Sequence, residues 1–151
     1  MLSITLLKKK NYIAMIQNAA KGENSMFRNL YALVDEKEKD IVNNGDLSCA
    51  FFLSGVLYIN KLIKDMHSGV VGLEKDLLES GWEEINELKE GAILIWEPSA
   101  SGHLHAGVYI GNDKAVSNMS EASGVPGEHH FTYNNTRKII RIWWHDKLEE
   151  I

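Results

Sequence analysis

The amino-acid sequence predicts an α+β domain in which helices come first and an antiparallel sheet follows. In the first half, apolar residues recur at the three- and four-residue spacing of helices. In the second half, short runs rich in β-branched and aromatic residues are separated by turn residues, and HAGVYIGNDKAVSN indicates a hairpin around Asn112 and Asp113. Helices followed by antiparallel strands are typical of α+β domains.

The 151 residues fit one domain, which we expect to span residues 1–151. A composition of 44% hydrophobic and 25% charged residues is typical of a globular protein, and a formal charge of −5 provides no overall positive field for nucleic acid. No apolar run reaches the ~18 residues of a membrane span, and the N-terminal apolar run precedes its lysines, the reverse of a secretory signal. We therefore expect a cytoplasmic protein without nucleic-acid or membrane partners, or a secreted one if a leader has been removed.

The N-terminal part, residues 1–45, is predicted to be helical. Ile13, Ile16 and Ala20 lie at helical spacing in a segment that the residues KGE close. The segment SMFRNLYALVDEKEKDIVNNG has weaker helical periodicity and ends in a turn. Its mixed charges indicate a solvent-exposed face.

Residues 46–118 are predicted to form the core of the domain. From Cys49 to Ile63 the chain is mostly apolar, about the length of a buried central helix and too short to span a membrane. Asp46 or Ser48 is placed to cap the start of this helix.

Another helix and the strands of a sheet follow. The stretch GLEKDLLESGW predicts a helix with Leu73, Leu77 and Leu78 on one face and Gly81 at its end. The runs GAILIWEP, HAGVYIG, KAVSN and RKIIRIWW predict strands. The last of these lies in the C-terminal part, residues 119–151, which is expected to close the sheet.

Cys49 is the only cysteine of the chain, so it is either a small core residue or a nucleophile. With Asp46 as the cap, it becomes the third residue of the central helix, where free N–H groups and the helix dipole favour a thiolate. A nucleophile also needs a nearby imidazole. His103 and His105 lie two residues apart at the start of a predicted strand and face the same side, so spacing alone does not choose between them.

A metal site is the alternative use of these histidines. Two alternate histidines on a strand can chelate a metal, and His129 and His130 would add ligands. No carboxylate falls at ligand spacing near either pair. We therefore expect neither a metal nor another cofactor.

In order and spacing, three segments resemble the NlpC-like papain-fold cysteine peptidases. They are SCAFFLSGVLYI, LKEGAILIWEP and HLHAGVYIGNDKAVSN, which fall roughly within residues 46–118. In that family a cysteine begins a buried helix, and a strand of the type HVGIYIGNG carries the histidine. The resemblance implies a papain-like fold in which Cys49 is the nucleophile and His105, rather than His103, is the base of an acyl-enzyme mechanism.

The surroundings of the catalytic pair indicate where a substrate would lie. The family usually has Asp before the cysteine and Ser after it, side chains that help shape the pocket, whereas this chain has Ser48 and Ala50. Trp96 is either a core aromatic residue or, because it precedes the loop that leads to the histidines, part of a cleft. Ser48, Trp96 and His103 are the candidate substrate-binding residues.

The sequence does not decide whether Ser117 or Asn118 orients His105. An ungapped match to the family places Ser117 at the position of its polar partner. A two-residue hairpin loop would pair Gly107 with Asn118 and put Asn118 on the His105 face, whereas a loop one residue longer would put Ser117 there. We favour Asn118 slightly, because its amide oxygen accepts from imidazole without a competing donor role. His129 or His130 could also fold back to serve.

Together these features predict an amide hydrolase, a peptidase or amidase that acts on a cell-wall-type peptide. The alternatives are a thiol acyltransferase or thioesterase, since relatives of this fold can pass an acyl group to an acceptor other than water, and a binding module that retains the fold without turnover. The expected partner is a peptide or acyl substrate, and the sequence leaves the oligomeric state open.

Overall fold

The computed structural model describes residues 1–120 and 122–149, and its architecture is α+β, as the sequence predicts. Its helices are α1 (Lys8–Ala19), α2 (Cys49–Ile59) and α3 (Val70–Glu79), with a 3-10 helix at Asp146–Glu149. Its strands are β1 (Tyr31–Val34), β2 (Lys37–Asp40), β3 (Glu83–Ile85), β4 (Ile93–Trp96), β5 (His105–Gly111), β6 (Lys114–Asn118), β7 (Pro126–His130) and β8 (Ile139–Trp144).

The larger sheet has six strands in the order β3-β8-β4-β5-β6-β7, and each neighbouring pair is antiparallel. All four residues of β4 are buried, as expected of a strand that is covered on both faces. The C-terminal strand β8 lies between β3 and β4, so a segment far along the chain completes the interior of the sheet.

The two faces of this sheet bury different side chains. On one face, residues of the three helices share a large apolar core with Ile93 and Ala106. On the other face, Leu94 and Trp96 belong to a smaller cluster. Because successive strand residues point to opposite faces, His105 lies on the face of the smaller cluster, next to Ala106 on the helix face.

The first and third helices follow their apolar patterns with one exception. Ile13 and Ile16 of α1 are buried, which confirms the first predicted helix. In α3, Leu73 and Leu77 are fully buried, whereas Leu78 is 66% exposed and does not share their face as predicted. None of the helices in the described ranges combines the length and apolar character needed to cross a membrane.

The predicted second helix is wrong, because its segment forms a separate two-stranded sheet of β1 and β2. Asp35 and Glu36 connect the strands with φ of 51° and 65°, the left-handed pair of a two-residue hairpin turn. Most residues of both strands are exposed. The segment has no apolar stripe that a helix could bury, so no helical face is available to pack on the core. At the base of the hairpin, the Asp40 carboxylate accepts the N–H of Leu30 at 3.0 Å and of Asn44 at 2.8 Å.

The predicted hairpin of β5 and β6 is present, and of the two registers that the sequence left open it has the one that puts Ser117 on the His105 face. The turn has two left-handed residues, as a two-residue loop requires. A shift in register between Tyr109 and Gly111 then changes the pairing along β5. Gly107 therefore pairs with Ser117 instead of Asn118, and a slip of one residue exchanges the faces of all the side chains that follow.

Candidate active site

Cys49 is the first residue of α2. Ser48 before it is the N-cap residue, and its side chain makes no capping hydrogen bond. Asp46 does not cap the helix either, since its carboxylate lies 3.4 Å from the side-chain nitrogen of Asn43. Cys49 is therefore not the third helical residue, as expected, but it still lies in the first turn, where backbone N–H groups lack carbonyl partners within the helix.

Burial and nearby hydrogen-bond donors shift the pKa of the Cys49 thiol in opposite directions. Cys49 is 7% exposed, and this burial raises the pKa of the thiol. The backbone N–H groups of Ala106, Ala50 and the cysteine itself lower that pKa, as does the positive charge of Arg137. Burial is the larger effect, so the thiol pKa is raised overall. This raised pKa favours the neutral thiol and opposes the thiolate expected from its place at a helix start.

His105 begins β5, directly before Ala106, whose N–H acts on the Cys49 sulfur. The residue is 5% exposed. Its Nε2 lies 2.7 Å from the phenol oxygen of Tyr133 and 3.0 Å from Oγ of Ser117. The other ring nitrogen, Nδ1, makes no hydrogen bond to the part of the chain that the structure describes.

The hydrogen bonds around Ser117 determine which ring nitrogen of His105 carries the proton. His129 Nδ1 donates to the carbonyl of His130 at 2.8 Å, so Nε2 of the neutral His129 ring is an acceptor. Ser117 Oγ donates to that nitrogen at 2.7 Å and accepts from the Tyr133 hydroxyl at 2.7 Å. Tyr133 Oη in turn accepts from His105 Nε2. This assignment puts the His105 proton on Nε2 and leaves Nδ1 as a base.

The pKa shifts agree with this chain of donors and acceptors. Burial, together with the charge of Arg137 and, once it is protonated at low pH, that of His129, lowers the pKa of His105 to about 3. Burial also lowers the pKa of His129 and raises the pKa of Tyr133 to about 12. At neutral pH both imidazoles are therefore neutral, and the phenol keeps its proton.

Cys49 and His105 line the same cleft, which has a volume of about 390 Å³. Several aliphatic side chains and two charged ones share its lining: Ile41, Leu47, Val70, Val71, Asp46 and Arg137. A cleft of this size and mixed lining fits a short peptide segment or another small acyl compound.

The three candidate substrate-binding residues have different places. His103 is exposed and lines the cleft, just before β5 rather than within it. Trp96 is fully buried, with its ring centroid 5.3 Å from that of His105 and its Nε1 donating to the Phe131 carbonyl at 2.8 Å. Ser48 is also fully buried, and its hydroxyl has no hydrogen-bond partner among the described residues. Neither Trp96 nor Ser48 lines the cleft, so neither is placed to contact a substrate there.

Of the two neighbours considered as partners of His105, the structure brings Ser117 to the ring. Asn118 is fully buried, and its Nδ2 donates to the carbonyl of Gly45 at 2.7 Å. Asn118 therefore ties the end of β6 to the loop before α2. The preference for Asn118 as the orienting residue is corrected, because the irregularity in β5 puts Ser117 on the His105 face.

His129 and His130 are the other candidates for orienting His105, and the two residues have different contacts. His129 reaches the site through Ser117, and its ring stacks on that of Tyr133 with centroids 3.9 Å apart. His130 Nδ1 lies 2.7 Å from the hydroxyl of Thr132 and holds the turn after β7. His129 is thus one hydrogen bond removed from the base.

Tyr133 and Arg137 are the site residues that sequence reasoning missed. Tyr133 lies in a turn with Asn134 and Asn135, and the three residues have φ of 52°, 57° and 66°. An Asn-Asn pair is a signal for left-handed backbone, but it does not reveal where the neighbouring side chain points. Arg137 comes just before β8, so its place in the cleft depends on the pairing of β8 with β4, which no local pattern predicts.

Within the two described ranges, no group of three or more His, Cys, Asp or Glu side chains is arranged to hold a metal ion. The histidines near the cleft are instead engaged with hydroxyl and carbonyl groups: His105 with Tyr133 and Ser117, and His129 with Ser117 and a backbone carbonyl.

Neither a known family model nor a curated protein matches the chain. Function is therefore inferred from the contacts of Cys49, His105 and their neighbours.

Proposed function

We propose that the protein is a cysteine amide hydrolase that cleaves a cell-wall-type peptide through an acyl-enzyme. One observation carries the proposal. Cys49, at the start of a buried helix, shares a cleft with His105, whose Nε2 is held by Tyr133 and Ser117 while Nδ1 remains without a partner among the described residues. A neutral imidazole with one nitrogen fixed and the other available is what a general base requires.

The order of the elements supports a papain-like fold of the NlpC type. Cys49 begins α2, β4 follows, and the antiparallel strands β5 and β6 carry His105 and Ser117. This is the order that the resemblance to the NlpC-like peptidases implies for the nucleophile, the base and the residue that orients the base. The cell-wall class of substrate rests on that resemblance.

In the first half of the reaction, the Cys49 sulfur attacks the amide carbonyl carbon while its proton passes to His105 Nδ1. The ring becomes an imidazolium, and its Nε2 proton stays directed at Tyr133 and Ser117. The C–N bond then breaks as the Nδ1 proton moves to the leaving nitrogen. The products are a thioester on Cys49, a free amine and a neutral His105.

In the second half, water attacks the thioester carbon and gives a proton to His105 Nδ1. The C–S bond breaks, the acid product leaves, and the proton returns to the Cys49 sulfur. The N–H groups of Cys49 and Ala50 in the first turn of α2 favour the negative charge that develops next to them in both halves.

The resting pair is neutral, so His105 acts during the attack and not before it. Burial raises the pKa of Cys49 and, with the charge of Arg137, lowers the pKa of His105 to about 3. Both shifts keep the proton on sulfur until an electrophile is in place. We therefore expect general-base catalysis rather than a preformed thiolate–imidazolium pair.

Acylation by p-nitrophenyl acetate tests this proposal. The wild-type protein should release a burst of p-nitrophenolate and carry an acetyl group on Cys49, detected by peptide mass spectrometry. Cys49→Ala should show no burst. His103→Gln, which removes an exposed histidine of the same cleft, should retain it. Soluble muropeptides should then be cleaved by the wild-type protein and not by Cys49→Ala.

Two outcomes would replace the proposal. If acetyl-Cys49 accumulates and passes to an added amine or alcohol faster than to water, the protein is a thiol acyltransferase. If Cys49 is never acetylated, while the wild-type protein and Cys49→Ala bind muropeptides equally well, the protein is a binding module.

A further inference from the structure

Arg137 lies in the wall of the cleft that contains Cys49 and His105. Its Nε donates to the Glu97 carbonyl at 3.1 Å, and its Nη2 donates to the His103 carbonyl at 3.2 Å. These two contacts fix the guanidinium against the loop that connects β4 and β5. The position of the charge is therefore built into the fold.

No carboxylate of the described chain forms an ion pair with Arg137. Arg141, only four residues away, shows the contrast: its Nε and Nη2 each lie 2.6 Å from the oxygens of Glu74. Arg137 uses only part of its donor set on backbone carbonyls, and a guanidinium has five N–H donors in a planar fork that matches a carboxylate. The cleft thus contains a held guanidinium with unused donors.

The charge of Arg137 acts on the reacting groups. After burial, it is the next largest influence that lowers the pKa of His105, and it also lowers the pKa of Cys49. A cation beside His105 disfavours the imidazolium that must form when the thiol is deprotonated. A bound anion would neutralise that cation and make His105 a stronger base when a substrate is present.

We propose that Arg137 is a specificity-determining residue that binds a carboxylate of the substrate, so that the cleft selects amides with an acidic group near the scissile bond. The aliphatic side chains of Leu47, Val70 and Val71 in the same lining would contact the rest of the acyl part. The role of Arg137 in substrate selection rests on the proposed function. Binding of an anion by Arg137 does not require turnover.

Alkylation of Cys49 by two reagents that differ in charge tests the anion site. Iodoacetate is anionic and iodoacetamide is its neutral counterpart, so the ratio of their rates at Cys49 reports attraction of the anion independently of thiol reactivity. We expect this ratio to exceed that of free cysteine, and to fall by about tenfold in Arg137→Gln, the scale of a charge-assisted hydrogen bond. Arg137→Lys should keep the attraction only in part, since an ammonium cannot form the paired contact.

Lys138→Gln is the matched control, because it removes the same charge one residue away from an exposed side chain. It should leave the ratio unchanged. An equal fall in Lys138→Gln and Arg137→Gln would mean that only the overall charge matters and would overturn the proposal. A change of both reagents' rates by the same factor in Arg137→Gln, with the ratio unchanged, would show a structural role and would also overturn it.

A binding measurement keeps the anion site testable even if Cys49 proves unreactive. In Cys49→Ala, N-acetylglutamate should bind more tightly than N-acetylglutamine by about tenfold, measured by NMR titration. The preference should disappear in Cys49→Ala/Arg137→Gln. Equal affinity for the two compounds would refute carboxylate recognition, whereas a lack of hydrolysis alone would refute only the proposed function.

Discussion

Two histidines of this chain, His67 and His105, meet their polar partners in opposite ways. His67 Nε2 lies 2.6 Å from a carboxylate oxygen of Asp76, which is 5% exposed. The same carboxylate accepts the N–H of Lys64 and of Asp65, each at 3.0 Å. Burial opposes ionisation of Asp76, but its hydrogen bonds outweigh burial and lower the pKa of the carboxyl group. This pair ties the loop after α2 to α3.

His105 contacts neutral hydroxyl groups instead of a carboxylate. Tyr133 and Ser117 orient its ring without supplying a negative charge, so burial dominates and lowers its pKa to about 3. The comparison teaches how a histidine is kept available for chemistry. The Asp76 carboxylate holds His67 between two elements of the fold, whereas the hydroxyl partners of His105 fix the direction of its ring and leave the other nitrogen unprotonated at neutral pH.

The largest expected effect comes from replacing each histidine by glutamine. His105→Gln should lower turnover of p-nitrophenyl acetate by about a thousandfold, because it removes the imidazole that we propose takes the thiol proton. His67→Gln should leave turnover within about twofold and lower the free energy of unfolding by about 1–3 kcal/mol, the cost of losing a hydrogen bond to a buried carboxylate. Kinetics and urea denaturation of both variants check this.

The comparison would fail if the two variants behaved alike. A loss of turnover in His67→Gln as large as that in His105→Gln, at a temperature where both are folded by circular dichroism, would show that the Asp76 pair also belongs to the catalytic machinery.

The next effect concerns the two neighbours Ser117 and Asn118. Ser117→Ala removes one partner of His105 Nε2 and should lower kcat by about tenfold with little change in melting temperature, since Tyr133 still holds the ring. Asn118→Ala removes the donor to the Gly45 carbonyl and should lower the melting temperature while kcat stays close to wild type.

Tyr133→Phe sharpens the same experiment. With Ser117 present, the loss of the phenol hydroxyl should lower kcat only several-fold, but Ser117→Ala/Tyr133→Phe leaves Nε2 without an acceptor. Its loss in kcat should exceed the product of the two single losses, because each hydroxyl compensates for the other. A double variant that matches that product would show that the two hydroxyl groups act independently.

The last effect is a pH dependence of stability. The pKa of His105 is about 3 in the folded protein against the ordinary 6.5, so below pH 6.5 the unfolded chain binds a proton that the folded protein does not. Stability should therefore fall as the pH drops from 6.5 toward 3, by up to about 1.4 kcal/mol for each pH unit. His105→Gln should flatten this slope, as measured by urea denaturation between pH 6.5 and 4.5. An unchanged slope in that variant would place the titration elsewhere.

Local patterns in the sequence were enough to identify some of this site. The apolar run after Cys49 predicted a buried helix, and the resemblance of the following strands selected His105 over its neighbour. Which of Ser117 and Asn118 meets the ring depended on an irregularity in β5 that the length of the turn does not encode. The neutral state of the thiol and the approach of Tyr133 depend on packing between segments far apart in the chain, where local periodicity carries no information.

The left-handed backbone at Tyr133 has a consequence for how the protein would respond to selection. With φ of 52°, this bulky residue adopts a conformation that costs about 1–2 kcal/mol relative to one that Gly adopts freely. Tyr133→Gly would relieve that cost, but it would also remove a ring that stacks on His129 with centroids 3.9 Å apart and the phenol that holds His105 Nε2. Loss of such a packed ring costs more than the backbone strain. A library selected for heat resistance and one selected for turnover should therefore both retain Tyr133, because packing and the orientation of His105 depend on the same side chain.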